Sequence, residues 1–174
     1  MKRFIVPILL VIFFTFPVIT TDKGIVEYNR LKQYYSWITV KRVIIINYYC
    51  NKYNLEIDKV CSLINEESWG QSNAVSCTNA RGLMQIMGKY HYRGRNYNDL
   101  FNDALNISIG TKILKNYMDI AKYRYGKNYH QETYRYYNAG PASNRAVYPN
   151  WDYVQRIIEN IKATRKIKTK ETVI

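Results

Sequence analysis

Apolar positions recur along this chain at the spacing of helices. Ile45, Ile46, Tyr49 and Tyr53 share one helical face. Ile57, Val60, Cys61 and Ile64 repeat at i, i+3, i+4 and i+7, with Glu56 and Asp58 at the end where a helix favours acids. Ile107, Gly110, Thr111, Leu114, Tyr117, Met118, Ala121 and Tyr125 predict a long amphipathic helix that stops at Gly126. A shorter helix is expected near 131–138. Asn150 is expected to cap a last one, whose buried face is Val154, Ile157, Ile158 and Ile161. Gly70 to Gly82 is small and polar and reads as loop. No run alternates as a strand would, and no repeat or linker divides the chain. The pattern predicts one mainly α domain over residues 43–160. A polar-aromatic lead-in (21–42) precedes it, and a basic tail (161–174) follows as the frayed end of a helix.

The first twenty residues do not belong to that pattern. Lys2 and Arg3 are followed by Phe4 to Thr20 without a charge, interrupted only by Pro7 and Pro17. A basic start and an uncharged apolar run make an export segment. The small-residue cleavage positions are poorly filled by Val18 and Thr20, so a cleaved signal and a retained anchor both remain open. Either way Lys2 and Arg3 stay inside and the domain works outside the inner membrane, in the periplasm or cell envelope. The membrane is then met only through this segment.

Charge adds a constraint. Past Thr20 the chain carries 24 basic and 13 acidic groups, a net +11. An exported basic domain suits an anionic wall polymer or lipid surface, although a plain solvated surface has the same composition. Export argues against a nucleic-acid partner. His91 and His130 are the only histidines and no paired-ligand motif occurs, so neither metal nor cofactor is expected. Cys50, Cys61 and Cys77 are odd in number. One disulfide, for instance Cys61 to Cys77, is compatible with export, but the sequence does not choose a pair.

The candidate for chemistry is Glu67. It ends the Ile57–Ile64 helix beside Trp69, between the turn formers Ser68 and Gly70. A carboxyl held where a buried helix opens into a loop would resist ionisation and could donate a proton near neutral pH. Local sequence alone also allows a solvated surface glutamate. Glu66 projects about 100° away on the helix and is expected to face solvent. No Asp or Glu lies between Glu67 and Asp99. A catalytic Glu67 would therefore act alone, or with a distant acid such as Asp99 or Asp103.

Several segments together resemble one family. Glu67-Ser68 is followed by Ala74-Val75-Ser76, then by Ala80-Arg81-Gly82-Leu83-Met84-Gln85-Ile86-Met87. Asn106-Ile107 with Gly110 and Leu114, Tyr137-Asn138-Ala139-Gly140-Pro141, and Tyr153-Val154 complete the series. This order is similar to the soluble-lytic-transglycosylase (SLT) domain of the lysozyme-like superfamily. The resemblance implies a lysozyme-like helical fold with a saccharide groove. It implies Glu67 as the single acid and base, and Ser76, Gln85, Met87, Tyr137 and Asn138 as substrate-orienting positions. Tyr137 would donate to the carboxyl, and Gln85 would both donate to and accept from an acetamide.

The implied reaction is non-hydrolytic cleavage of the MurNAc-β-1,4-GlcNAc bond of peptidoglycan, leaving a 1,6-anhydro end, without a cofactor. Two features depart from the family pattern: Asn79 replaces a Gly, and Met87-Gly88-Lys89-Tyr90-His91 replaces M-P-x-T-A, which removes the residues that start the next helix. The rivals are a true hydrolase on the same fold and a non-catalytic wall-binding subunit of a secretion or conjugation apparatus.

Overall fold

The structure is a computed structural model, which describes residues 22–142 and 150–171. The expected export segment lies outside the described residues. Seven helices and one short hairpin occur among these residues: α1 (Asp22–Lys32), α2 (Val40–Tyr53), α3 (Ile57–Ser68), β1 (Ala80–Arg81), β2 (Ile86–Met87), α4 (Gly88–His91), α5 (Asp103–Tyr125), α6 (Tyr129–Ala139) and α7 (Trp151–Glu171). No helix among them is long and apolar enough to cross a membrane.

The helical periodicity is realised. Val43, Ile46 and Cys50 of α2, Val60 to Ile64 of α3, Ile107 and Leu114 of α5, and Val154, Ile157 and Ile161 of α7 fill one core. Packing of α5 on α6 and α2, and of α3 on α7, carries it. Thr39 caps α2 by accepting from the Arg42 amide, and Asn54 ends that helix in the left-handed region, which asparagine tolerates. The tail is less separate than its composition suggests. Helix α7 continues to Glu171, and Ile161 and Thr164 are buried.

The lead-in is built into the same core. Leu31, Tyr35 and Ile38 are buried, and the Tyr35 hydroxyl lies 2.9 Å from Ser62 Oγ on α3. Arg30 is only 1% exposed and is answered on three sides. It pairs with Glu27 and with Asp58 Oδ1 (2.8 Å), and donates to the Thr164 carbonyl (3.1 Å). One guanidinium thus ties α1 to α3 and α7. A charge buried this deep is tolerated only when its donors are met. Trp37 covers Gly70, where any side chain would run into its ring, and its indole donates to Asn65 Oδ1 (3.1 Å). The lead-in therefore braces the end of α3, next to Glu67.

The hairpin was not expected from the sequence. Ala80 pairs with Met87 and Arg81 with Ile86, and Val75 bridges to Arg81. The helix after β2 is a single turn with no side-chain cap, in keeping with the missing Pro and Thr. All three cysteines are free: Cys50 and Cys61 are buried and Cys77 is exposed, so no staple joins Cys77 to α3.

Candidate active site

Glu67 lies in the last turn of α3, whose end is fixed from two sides. Trp69 and Gly70 take positive φ (53° and 72°), so the chain turns sharply out of the helix. Ser68, a buried hydroxyl, donates to the Leu83 carbonyl at 2.7 Å and joins that end to the turn 82–85. The turn is itself held by Asn106 of α5, which is fully buried. Asn106 Oδ1 accepts from the Met84 amide (2.7 Å), and its Nδ2 donates to the carbonyls of Arg81 and Leu100 (both 2.8 Å). Gly82, at φ 77°, sits directly against Asn106, where no Cβ fits.

Opposite Glu67 stands Tyr153 on α7. Its hydroxyl donates to Glu67 Oε1 at 2.5 Å, an 86-residue separation closed by the packing of α3 on α7. The sequence supplied Tyr153 only as part of a pattern, with no role. The bond expected from Tyr137 is made elsewhere: Tyr137 donates to the Met84 carbonyl at 2.9 Å, and its ring stands edge-on to Tyr117. Burial, with the Glu67 charge, holds the Tyr137 phenol well above its ordinary pKa. Tyr153 is shifted the same way by burial and by Glu67. Both phenols stay neutral, so they can only stabilise the carboxyl as donors or dipoles.

Burial is the largest influence on Glu67 and pushes its carboxyl up to about 7. The Tyr153 hydrogen bond opposes this, and the neighbouring Glu66 adds to it. Loss of hydration wins because one phenolic donor replaces only part of the shell that a carboxylate keeps in water. The C-terminal end of a helix disfavours negative charge as well. Near neutrality Glu67 is therefore divided between acid and base. Replacing Tyr153 by Phe removes the one contact that favours the ionised form. Glu67 is expected to titrate at higher pH in Tyr153→Phe than in the wild type, which side-chain carboxyl NMR reads directly.

The remaining expected positions divide. Gln85, at φ 46°, donates through Nε2 to the carbonyls of Gly82 (2.9 Å) and Ala74 (3.2 Å). Both N–H groups are thus used internally, and only the amide oxygen is left for a ligand, so the donor role read from the sequence is not available. Ser76 closes its own turn by accepting from the Ala80 amide (3.0 Å) and pairing with Thr78 Oγ1 (3.0 Å). Its hydroxyl makes no hydrogen bond to Glu67, Tyr153 or Tyr137. Met87 is half-buried in β2. Asn138 is exposed at the end of α6 and accepts from Asn150 Nδ2 at 2.5 Å. Asn150 stands at the head of α7 as expected, its carbonyl accepting from the Val154 amide (3.1 Å), but it takes φ 41° and its side chain ties the start of α7 to α6. Asn79, which stands where the family pattern has a Gly, takes φ 66°, a conformation asparagine tolerates.

Glu66, Asp99 and Asp103 are each engaged with a partner other than Glu67. Glu66 is not turned to solvent: it is 12% exposed and accepts from Arg156 at 2.6 Å. Asp99 accepts from the Tyr92 hydroxyl at 2.6 Å. Asp103 pairs with Arg42 (2.8 Å) and Ser72 (2.5 Å).

The sequence profile of the transglycosylase SLT domain matches residues 44–150, well over half of the chain. The chain belongs to the SLT domain family. A curated relative, the membrane-bound lytic murein transglycosylase E of Buchnera aphidicola (subspecies Baizongia pistaciae, strain Bp), is 38% identical over 80 residues. That match covers 40% of this chain and 38% of the relative, so the chain spans well under half of the relative's length. The matched profile takes in both Glu67 and the Asn106 clamp of this SLT domain, whereas Tyr153 lies beyond it.

Proposed function

We propose that this SLT domain is a peptidoglycan lytic transglycosylase that works with one carboxyl. The observation that carries the reading is Glu67 itself, poised near pH 7 against Tyr153, with Glu66, Asp99 and Asp103 each committed to a cation or a hydroxyl. A glycosidase that hydrolyses with two carboxylates needs the second one across the scissile bond. Asp99 and Asp103, the acids weighed for that place, are engaged with Tyr92 and Arg42 instead.

In the proposed cycle the protonated Glu67 donates to the glycosidic oxygen between MurNAc and GlcNAc. As the C1–O bond breaks, the N-acetyl carbonyl of MurNAc stabilises the oxocarbenium-like C1, a role a second carboxylate would otherwise fill. Glu67, now ionised and favoured in that form by Tyr153, removes the proton from the C6 hydroxyl of the same MurNAc. The C6 oxygen closes onto C1. The products are a 1,6-anhydro end and a free GlcNAc hydroxyl, with no water consumed and Glu67 again protonated. The Gln85 amide oxygen is the acceptor offered to an acetamide N–H. Met87, Tyr137, Asn138 and Ser76 are assigned to the groove on the family pattern.

The expected export segment and the kinship with a membrane-bound lytic murein transglycosylase together support an envelope location. A reducing-sugar assay on isolated sacculi tests the reading. Solubilisation without new reducing ends is expected, whereas new reducing ends in step with solubilisation mean hydrolysis.

A further inference from the structure

We propose that the loop following β2 carries a separate binding site for the carboxylates of peptidoglycan stem peptides, formed by Lys89, Arg93 and Arg95 beside the exposed ring of Tyr90. The identity of the ligand rests on the function proposed above; the site itself rests on charge and packing. Between Glu67 and Asp99 the chain has four basic residues, Arg81, Lys89, Arg93 and Arg95, and no acid. Three of them fall within seven residues, and all three are exposed.

Most buried or half-buried cations of this protein are answered by acids: Arg30 by Asp58, Arg42 by Asp103, Lys59 by Glu56, Arg135 by Glu132. Lys89, Arg93 and Arg95 have no carboxylate at ion-pair distance among the described residues. The nearest acid along the chain, Asp99, is held by the Tyr92 hydroxyl.

The loop is nonetheless ordered, and by contacts that leave its cations out. The Tyr92 amide donates to the Gly88 carbonyl at 3.1 Å. Gly88 lies against the ring of Tyr97, and Gly94 against the ring of Tyr92. Tyr90 is 65% exposed, with the Lys89 ammonium 5.4 Å from its ring centre. A segment, α4 and the loop after it, that presents an ammonium over an exposed aromatic ring and two guanidinium forks suits a peptide with several carboxylates. Each guanidinium can take a carboxylate through two parallel hydrogen bonds.

The position fits a peptide hanging from the bound strand. Lys89 follows Gln85 by four residues, at most about 14 Å of chain. The same turn is joined to the residue after Glu67 through Ser68 and Leu83. Exposed ion pairs are individually weak, a few-fold each, so three acting together on one ordered loop are expected to contribute about tenfold. Salt should erode that preference.

The test uses the full chain in detergent and soluble glycan strands, either carrying their stem peptides or stripped of them by an amidase. Binding and cleavage are both measured at low salt. Wild type should bind peptide-bearing strands about tenfold more tightly than stripped ones. In Lys89→Gln/Arg93→Gln/Arg95→Gln the preference should fall to about one. The same charge removed by Lys112→Gln/Lys122→Gln/Lys127→Gln, on or next to α5, should leave it in place. A wild type without preference, a preference that survives the loop substitutions, or one lost equally in the α5 variant overturns the site. If binding discriminates as expected but no strand is cut, the site stands and the role of Glu67 falls. If strands are cut with no preference, the reverse holds.

Discussion

Glu67→Gln is expected to lower glycan cleavage by about 10²–10⁴-fold, the contribution of a positioned general acid and base. Glutamine keeps the shape and still meets the Tyr153 hydroxyl, but it has no proton to deliver to a leaving oxygen. The same variant carries a stability signature that a merely structural residue would not give. Glu67 titrates near 7 in the folded chain, against 4.5 as its ordinary value. A raised acid favours folding fully below the unfolded value, and that contribution is lost as pH climbs from 4.5 to about 7. Above pH 7 the wild type bears the whole penalty of a buried carboxylate, on the order of 3 kcal/mol at most. Glu67→Gln should therefore be the more stable protein at pH 8, with the difference shrinking toward pH 4, as denaturant unfolding at the two pH values reads. Glu66→Gln breaks only the pair with Arg156 and should keep cleavage within a few-fold. The opposite ranking of the two variants would place the chemistry on Glu66.

Asn106→Ala is expected to cost about 3–5 kcal/mol, because one truncation leaves a buried amide and two buried carbonyls without partners. The loss is structural, and its functional consequence follows from where it falls. The turn that Asn106 holds also receives Ser68 and Tyr137 and carries Gln85. Cleavage should fall even at temperatures where the variant remains folded. Gly82→Ala should destabilise as well, since the new Cβ meets both Asn106 and the Leu100 carbonyl at a positive φ. The two sites touch, so their costs should not add, and the double variant should lose less than the sum. Chemical denaturation of the three proteins checks this. Additive losses would mean that Gly82 and Asn106 do not share one contact.

What could be read in the sequence follows the physical scale of each signal. The faces of α3, α5 and α7 were legible because each buries apolar residues at a steady helical spacing over several turns; on α2 the buried line runs through Val43, Ile46 and Cys50, and of the expected face only Ile46 is fully buried. Helix α1 was not, because the side it turns inward carries Arg30 and Glu27, which read as solvated until Asp58 and Thr164 are brought to them from other helices. The hairpin was missed because two-residue strands are shorter than the alternation that would reveal them. Glu67 was a candidate from its neighbours, which equally allowed a solvated glutamate, and it was the order of motifs along the chain that decided for it. Its partner could not be singled out, since Tyr153 arrives from 86 residues away and α7 displays it only as one more apolar-face residue. The family pattern gave the Gln85 side chain to the substrate and the Tyr137 hydroxyl to the Glu67 carboxyl, whereas folding directs the Gln85 amide N–H groups and the Tyr137 hydroxyl to backbone carbonyls of this same protein.

Whether one carboxyl performs both proton transfers is decided most directly by the mass of the new chain ends. Sacculi digested with the wild-type chain and resolved by mass spectrometry should yield muropeptides one water lighter than hydrolysis products, each ending in 1,6-anhydroMurNAc, and Glu67→Gln should yield almost none. Fragments at the full hydrolytic mass, with ordinary reducing ends, would contradict the account and make this SLT domain a muramidase.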